Sequence, residues 1–422
     1  MRKLDVKIIK NFKTLKRAAA VIFAVLMLTG CVNLLEDYRE SITEHQLTPY
    51  VRPPVEQTTV SDYEEFLTVI IRSIMLYETD IHLLYYNRDG DEIDEDIIRA
   101  RQFILNVHPV GAYIVADISA RASRIVTHFE VNIEIEYKRT KEQLESIVTV
   151  TSELSFLTRL RIFMRDYEEI AVFRTRLQLN EKIIADFVRD TYYNNPHLIV
   201  LLPMVTIEIF PEIGSDRIYE LQFGYLENPR MLQYMSGLLM QYIQQNAELA
   251  IRNTDAETLL TLVDILMETT FNEGAARTIH AHGVQNFAAT AYGALVRGSA
   301  VGEGFAMAFK ALADELGFDC RVVLGELDGM IHAWNIISLY GDFYHVDVAM
   351  CVLLGKEVAF LKTDADFEGM LYTWDRENTV RCEGPLTLED ILPDNENSAE
   401  TDELDEEDEE EDFIHEGRKR VL

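Results

Sequence analysis

Gly298-Ser299-Ala300-Val301-Gly302-Glu303-Gly304-Phe305-Ala306, followed at a distance by His332-Ala333-Trp334-Asn335 and then by His345-Val346-Asp347, is the stretch on which the fold turns. Phe305, Phe309, Leu312 and Leu316 recur at spacings of four, three and four, the period of one helix face, and Gly317 supplies the stop. A strand is expected over 321–327, closed by a turn at Asp328-Gly329. A second strand over 331–340 carries His332, and after the Gly341-Asp342 turn a third, over 343–350, carries His345 and Asp347. One buried helix followed by antiparallel hairpins reads as an α+β domain.

These three motifs, in this order, resemble those of the bacterial transglutaminase-like domain, a member of the papain-like cysteine enzyme superfamily. That family places Cys at a helix start within Ala-Val-Cys-Glu-Gly-Tyr-Ala, His on a following strand as His-Ala-Trp-Asn, and Asp on the next as His-Val-Asp. Ala300-Val301, Glu303-Gly304 and Ala306 fit the first motif, His332–Asn335 the second and His345–Asp347 the third, and the resemblance covers residues 270–352. It implies a thiol chemistry. A free thiol ionises only near pH 8.5 (about), so it is a weak nucleophile until a helix N-terminus and a nearby imidazolium favour the thiolate. The Asp orients the imidazole and supports its charge. The thiolate then attacks a carboxamide carbon, and the acyl group passes to an amine or to water.

Position 302, where the resemblance puts that cysteine, is glycine. The sequence after Asp347 departs as well, with Val348-Ala349-Met350-Cys351 where the family shows a Val-Thr-Trp-Asp type. In a serine protease the loss of the nucleophile costs roughly 10⁶ in turnover, so the expectation is an inactive site. His332 and Asp347 then stand as a remnant catalytic dyad with Gly302 at the nucleophile position. Two readings stay open for them. They are a hydrogen-bonded pair fixing adjacent strands, or part of a retained cleft in which Trp334, Asn335 and the glycine-opened helix start at Gly302 hold a ligand without cutting it. The alternative to inactivity is a transglutaminase, amidohydrolase or peptidase working through a surrogate nucleophile. Ser299 would need a rebuilt loop to reach His332, Cys351 is expected near the cleft mouth, and Cys320 fits a small core residue. His280, His282, His332 and His345 show no converging spacing and there is no CxxC pair, so no metal and no cofactor are expected.

Upstream, the pattern is helix and strand in alternation. Phe66, Ile70, Ile74 and Tyr77 recur at helical spacing, with a strand expected over 81–86, a helix over 94–107 and strands over 112–118 and 125–137. Phe129, Val131, Ile133, Ile135 and Tyr137 alternate with Glu130, Asn132, Glu134 and Glu136, the mark of a half-buried antiparallel strand. The order then recurs: Phe66-Leu67-Thr68 is answered by Phe156-Leu157-Thr158, Ile97-Ile98 by Ile183-Ile184, Pro109 by Pro196 before a strand expected over 198–209, and Arg124-Ile125 by Arg217-Ile218. The expected architecture is therefore a duplicated α-β-α-β-β N-terminal region, 59–147 and 148–240, followed by a transglutaminase-like domain over 241–388, with a mostly helical segment, 231–268, leading into it.

At the other extremes the composition changes. Arg2, Lys3, Lys7, Lys10, Lys13, Lys16 and Arg17 precede an apolar run over 18–28, too short to span a bilayer comfortably, and then Leu28-Thr29-Gly30-Cys31. That ending resembles a bacterial lipobox, which implies a signal peptide over 1–30, lipidation at Cys31 and a tether over 31–58; an ordinary signal peptide or a short anchor is the alternative. Residues 389–422 carry a dense carboxylate run that repels itself and cannot bury a core, so an acidic disordered tail is expected. The formal charge of −33 argues against nucleic-acid binding. Together these features predict an extracytoplasmic, membrane-anchored lipoprotein of the bacterial cell surface that binds cell-wall peptide or glycan, or an envelope protein.

Overall fold

The computed structural model describes residues 58–282 and 285–392. The lipobox with Cys31, the tether up to residue 57 and the acidic tail beyond residue 392 lie outside the described residues. Among the described residues no helix is long and apolar enough to cross a membrane. The architecture is α+β.

The first sheet contains β1 (Thr58–Val60), β2 (Asp80–Tyr85), β3 (Val115–Ile125) and β4 (His128–Tyr137) in the order β1-β2-β4-β3. The β4 alternation has its expected effect, with Val131, Ile133 and Ile135 buried against the helices Tyr63–Leu76 and Gly90–Asn106. Asp62 caps the first helix, and the second starts on a reciprocal capping box between Asp89 and Glu92. One expected strand differs. Residues 112–114 belong to a short helix, Pro109–Ile114, because Pro109 presets its first turn and the His108 Nδ1 accepts from the Gly111 N–H at 3.0 Å. The strand therefore begins at Val115.

The second sheet contains β5 (Val148–Thr149), β6 (Ile170–Thr175), β7 (Met204–Phe210) and β8 (Arg217–Gly224) in the order β5-β6-β8-β7, with helices Glu153–Arg165 and Glu181–Asn194. The strand expected from residue 198 starts instead at Met204. Ile199, Val200 and Leu201 are buried as a loop, and the Val200 N–H donates to the Tyr167 hydroxyl at 2.9 Å where a ladder partner would stand. The buried Glu220 carboxylate links the two sheets, accepting from the Tyr113 hydroxyl at 2.7 Å and the Arg139 Nε at 3.0 Å.

One hydrophobic core then runs without a break from Val150 to Leu388. It encloses helices Pro229–Ala250 and Asp255–Met267 and, at its centre, the helix Gly302–Glu315, buried along most of its length. A parallel pair, β9 (Thr270–Phe271) with β10 (Ser299–Ala300), leads into that helix. The third sheet holds β11 (Cys320–Leu327), β12 (Met330–Leu339), β13 (Asp342–Val346) and β14 (Tyr372–Trp374) in the order β13-β12-β11-β14. The strand expected to reach residue 350 ends at Val346, because Asp347 turns the chain into the helix Val348–Leu354 by accepting the Met350 N–H at 3.1 Å.

Candidate functional site

The start of the central helix is delivered by backbone alone. The Asn272 N–H donates to the Ala300 carbonyl at 2.8 Å and the Val301 N–H to the Ala288 carbonyl at 2.9 Å, so the chain is held on both sides just before residue 302. No side chain caps the helix, which leaves its first N–H groups without intrahelical partners. Gly304 is required by close approach: a Cβ there would lie 2.1 Å from the Ala288 carbonyl oxygen.

His332 reaches the same point from β12. Its ring lies so close to Gly302 that a Cβ on that residue would stand 2.7 Å from the His332 Cε1 and 2.8 Å from its Nδ1. The ring is not free to give way. Its Nε2 is 2.5 Å from the Asp347 Oδ2, and its face stacks toward Trp334 with centroids 6.2 Å apart. Asp347 is fully engaged, since Oδ2 also accepts the Tyr372 hydroxyl at 2.7 Å and Oδ1 caps the following helix. The sequence-predicted trio of Gly302, His332 and Asp347 is thus brought together, and all three are buried.

The two residues expected to line a binding cleft are in the core instead. Trp334 and Asn335 are both fully buried. Trp334 packs edge-on against Tyr372 and Trp374, and the Asn335 amide donates to the Ala306 carbonyl at 3.0 Å, tying β12 to the central helix. Nor does glycine open a space at position 302, because the imidazole fills it. Strand alternation explains part of this: His332 and Trp334 share one sheet face, and that face packs inward.

The three described cysteines are buried and unpaired with one another. Burial pushes each thiol pKa up, to about 12 for Cys382 and further for Cys320 and Cys351, where the Asp347 charge adds to the effect at Cys351. Cys351, expected near a cleft mouth, is inside the core because it lies on the helix that Asp347 caps. Ser299 accepts from the Asn272 amide at 3.0 Å.

Solved structures similar to this chain include the following two. One is a crystal structure of a TGase, 13% identical, with a TM-score of 0.25 over 51% of this chain and 60% of that one. The other is a proposed cysteine protease from Cytophaga hutchinsonii, 14% identical, with a TM-score of 0.22 over 40% of this chain and 66% of that one. The chain thus spans less than two thirds of the length of either. No protein family and no curated protein matches it.

One constellation escaped the sequence reading. His345, Asp364 and Cys382 converge, their candidate ligand atoms all within 4.8 Å of one another, and Asp364 and Cys382 border a cavity of about 1000 Å³. Their protons decide what they can do. An indole N–H only donates, so the Trp334 Nε1, 3.0 Å from the His345 Nδ1, fixes the tautomer that carries its proton on Nε2. That Nε2–H donates to the Asp364 Oδ1 at 2.9 Å, which also accepts the Cys382 N–H at 3.1 Å. Burial lowers the His345 pKa, against the opposing effect of the Asp364 hydrogen bond, and keeps the ring neutral. With no lone pair on the nitrogen that faces Asp364, the donor set does not suit a metal ion, and His345, Asp364 and Cys382 act as a hydrogen-bonded clasp between β13 and the segment around residue 382. His280 lies on a different helix, Glu273–His282.

Proposed function

We propose that this chain is a lipid-anchored, non-catalytic interaction protein of the bacterial cell envelope, built on a transglutaminase-like, papain-like domain behind a duplicated α+β region. The observation that carries the reading is how closely the His332 imidazole approaches Gly302, where an added Cβ would stand 2.7 Å from its Cε1. Acyl transfer needs a thiolate between helix start and imidazole, and here the imidazole itself takes up the volume of the nucleophile's side chain. What remains of the machinery, His332 with Asp347 and Tyr372, is a buried hydrogen-bonded brace.

Support for the family comes from the three ordered motifs and from the meeting of residues 302, 332 and 347 at the start of one helix. The duplication is supported by the common strand pattern of the two N-terminal sheets, edge pair first and the hairpin partner outermost in each. Neither copy brings His, Cys, Ser or carboxylates together at a diagnostic spacing, and a region of that kind suits binding. The ligand class that fits an envelope location is cell-wall peptide or glycan, or a neighbouring envelope protein, and the charge of −33 disfavours nucleic acid. Membrane attachment through Cys31 is tested by Cys31→Ser, which should move the protein from the membrane to the soluble fraction.

The catalytic question has its own experiment. The chain is incubated near neutral pH with a thiol-directed electrophile, and separately with a glutamine peptide and an amine. Cys320, Cys351 and Cys382 should label only after denaturation, and no acyl transfer should be seen. An adduct that forms on the native protein and disappears in a His332→Ala variant would show a surrogate nucleophile and overturn the proposal.

A further inference from the structure

Behind the central helix, on the side of Glu303, lies a separate cavity of about 210 Å³. Tyr192, Tyr193, Leu202, Ile279 and Thr290 are among its walls, and Glu303 is the one acidic residue among its described walls. The Gln285 amide closes one lip by donating to the Leu202 carbonyl at 2.5 Å. Glu303 sits in the first turn of the helix Gly302–Glu315, where the helix dipole favours a negative charge.

Its surroundings supply little else for that charge. Its side chain has one hydrogen bond, from the Tyr193 hydroxyl to Oε1 at 2.8 Å. No other hydrogen bond and no ion pair reaches the carboxylate among the described residues. Arg189, whose charge bears on Tyr193, is itself paired with Asp186 at 2.9 Å and lies half-exposed. Burial accordingly pushes the Glu303 pKa up, opposed only by the Tyr193 bond. A carboxylate held this way is undercompensated, since burying a charge is costly unless it is paired.

We propose that this cavity is a binding site for a small primary alkylammonium group, with Glu303 as counter-ion and Tyr193 as the hydrogen-bonding partner that orients it. An ammonium head supplies both the missing charge and the missing donors, and an apolar stem fits the Leu202 and Ile279 side. Two tyrosines among its walls are a residue type that favours a cation over a neutral group. The volume is below the roughly 300 Å³ at which sites for drug-sized ligands begin, which limits the ligand to a short chain or the tip of a longer one. The site does not depend on the reading of His332 and Gly302.

The test titrates the whole chain with n-propylammonium chloride at constant ionic strength, with n-propanol as the neutral match, and follows heat or ligand NMR signals. Saturable one-site binding is expected for the ammonium, with propanol at least tenfold weaker. Glu303→Gln should weaken ammonium binding at least tenfold, and Tyr193→Phe should weaken it severalfold. Equal binding of propanol and propylammonium, no saturable binding, or an unchanged affinity in Glu303→Gln would each overturn the proposal. The comparison of the two ligands on the unaltered protein decides the matter even if the glutamine variant fails to fold.

Discussion

Gly302→Ala is the smallest change that probes the meeting of helix and imidazole. The added Cβ would lie 2.7 Å from the His332 Cε1 and 2.8 Å from its Nδ1, well inside ordinary contact. If the ring stays in place, backbone must shift, at an overpacking cost of about 1–3 kcal/mol. If the ring turns away, it gives up its 2.5 Å bond to Asp347. A hydrogen bond to a charged group is worth about 1.5–3 kcal/mol, so the second route is no cheaper. Alanine is the better helix former by up to about 1 kcal/mol, which offsets part of the loss. The net expectation is destabilisation by about 1–2 kcal/mol, a factor of roughly 5–30 in the folded-to-unfolded ratio. The assay is unfolding in guanidinium followed by intrinsic fluorescence, because the chain's two tryptophans, Trp334 and Trp374, both lie in this sheet and touch each other. The same substitution in a His332→Ala background, where the ring is gone, should be neutral or stabilising. The double-mutant cycle should therefore show a coupling of about 1–3 kcal/mol, within the range seen for residues in contact. Equal costs in the two backgrounds, or a Gly302→Ala protein as stable as its parent, would refute the argument that the imidazole fills the space beside residue 302.

Asp347→Ala removes a buried carboxylate that serves His332, Tyr372 and the cap of the helix Val348–Leu354 together, and should cost about 3–5 kcal/mol by the same fluorescence assay. A loss below 1 kcal/mol (roughly the value of an exposed pair) would mean that the brace is not what fixes these strands. Acid stability should depend on Glu220. Burial alone would raise its pKa, but the bonds from Arg139, Gln222 and Tyr113 outweigh that and hold it below the ordinary glutamate value. The unfolded carboxylate then binds more protons than the folded one in the window between the two values, so this contribution is complete above the ordinary value and is lost as pH falls through the lowered one. Glu220→Gln should destabilise at neutral pH and flatten that acid limb; an unchanged pH profile would count against the buried link between the two sheets.

Much of this molecule was legible in one dimension because its signals are local. The alternation along Phe129–Tyr137 fixes which face of β4 is buried, and the spacing of Phe305, Phe309 and Leu312 marks the central helix, although the fold buries that helix on every side from Gly304 to Ala313. Local signals fell short where a neighbour from elsewhere intervened. Residues 198–203 look like the start of a strand, yet a tyrosine hydroxyl from residue 167 takes the N–H that a ladder would have used. Residues 348–350 look like the end of one, yet the carboxylate of Asp347 makes them the first turn of a helix.

The sequence by itself determined that position 302 offers no side chain, that His332 lies on a strand two residues before Trp334, and that the cysteines have no CxxC spacing. Only the tertiary structure decided where the His332 imidazole sits, and it sits against Gly302. It alone gathered Tyr193 with Glu303, and Trp334, His345, Asp364 and Cys382 into one clasp. The physical reason is the same in each case. A residue's type and spacing carry its local preference, whereas the partner that accepts its proton, fills its space or leaves its charge uncompensated is set by packing between segments far apart in the chain.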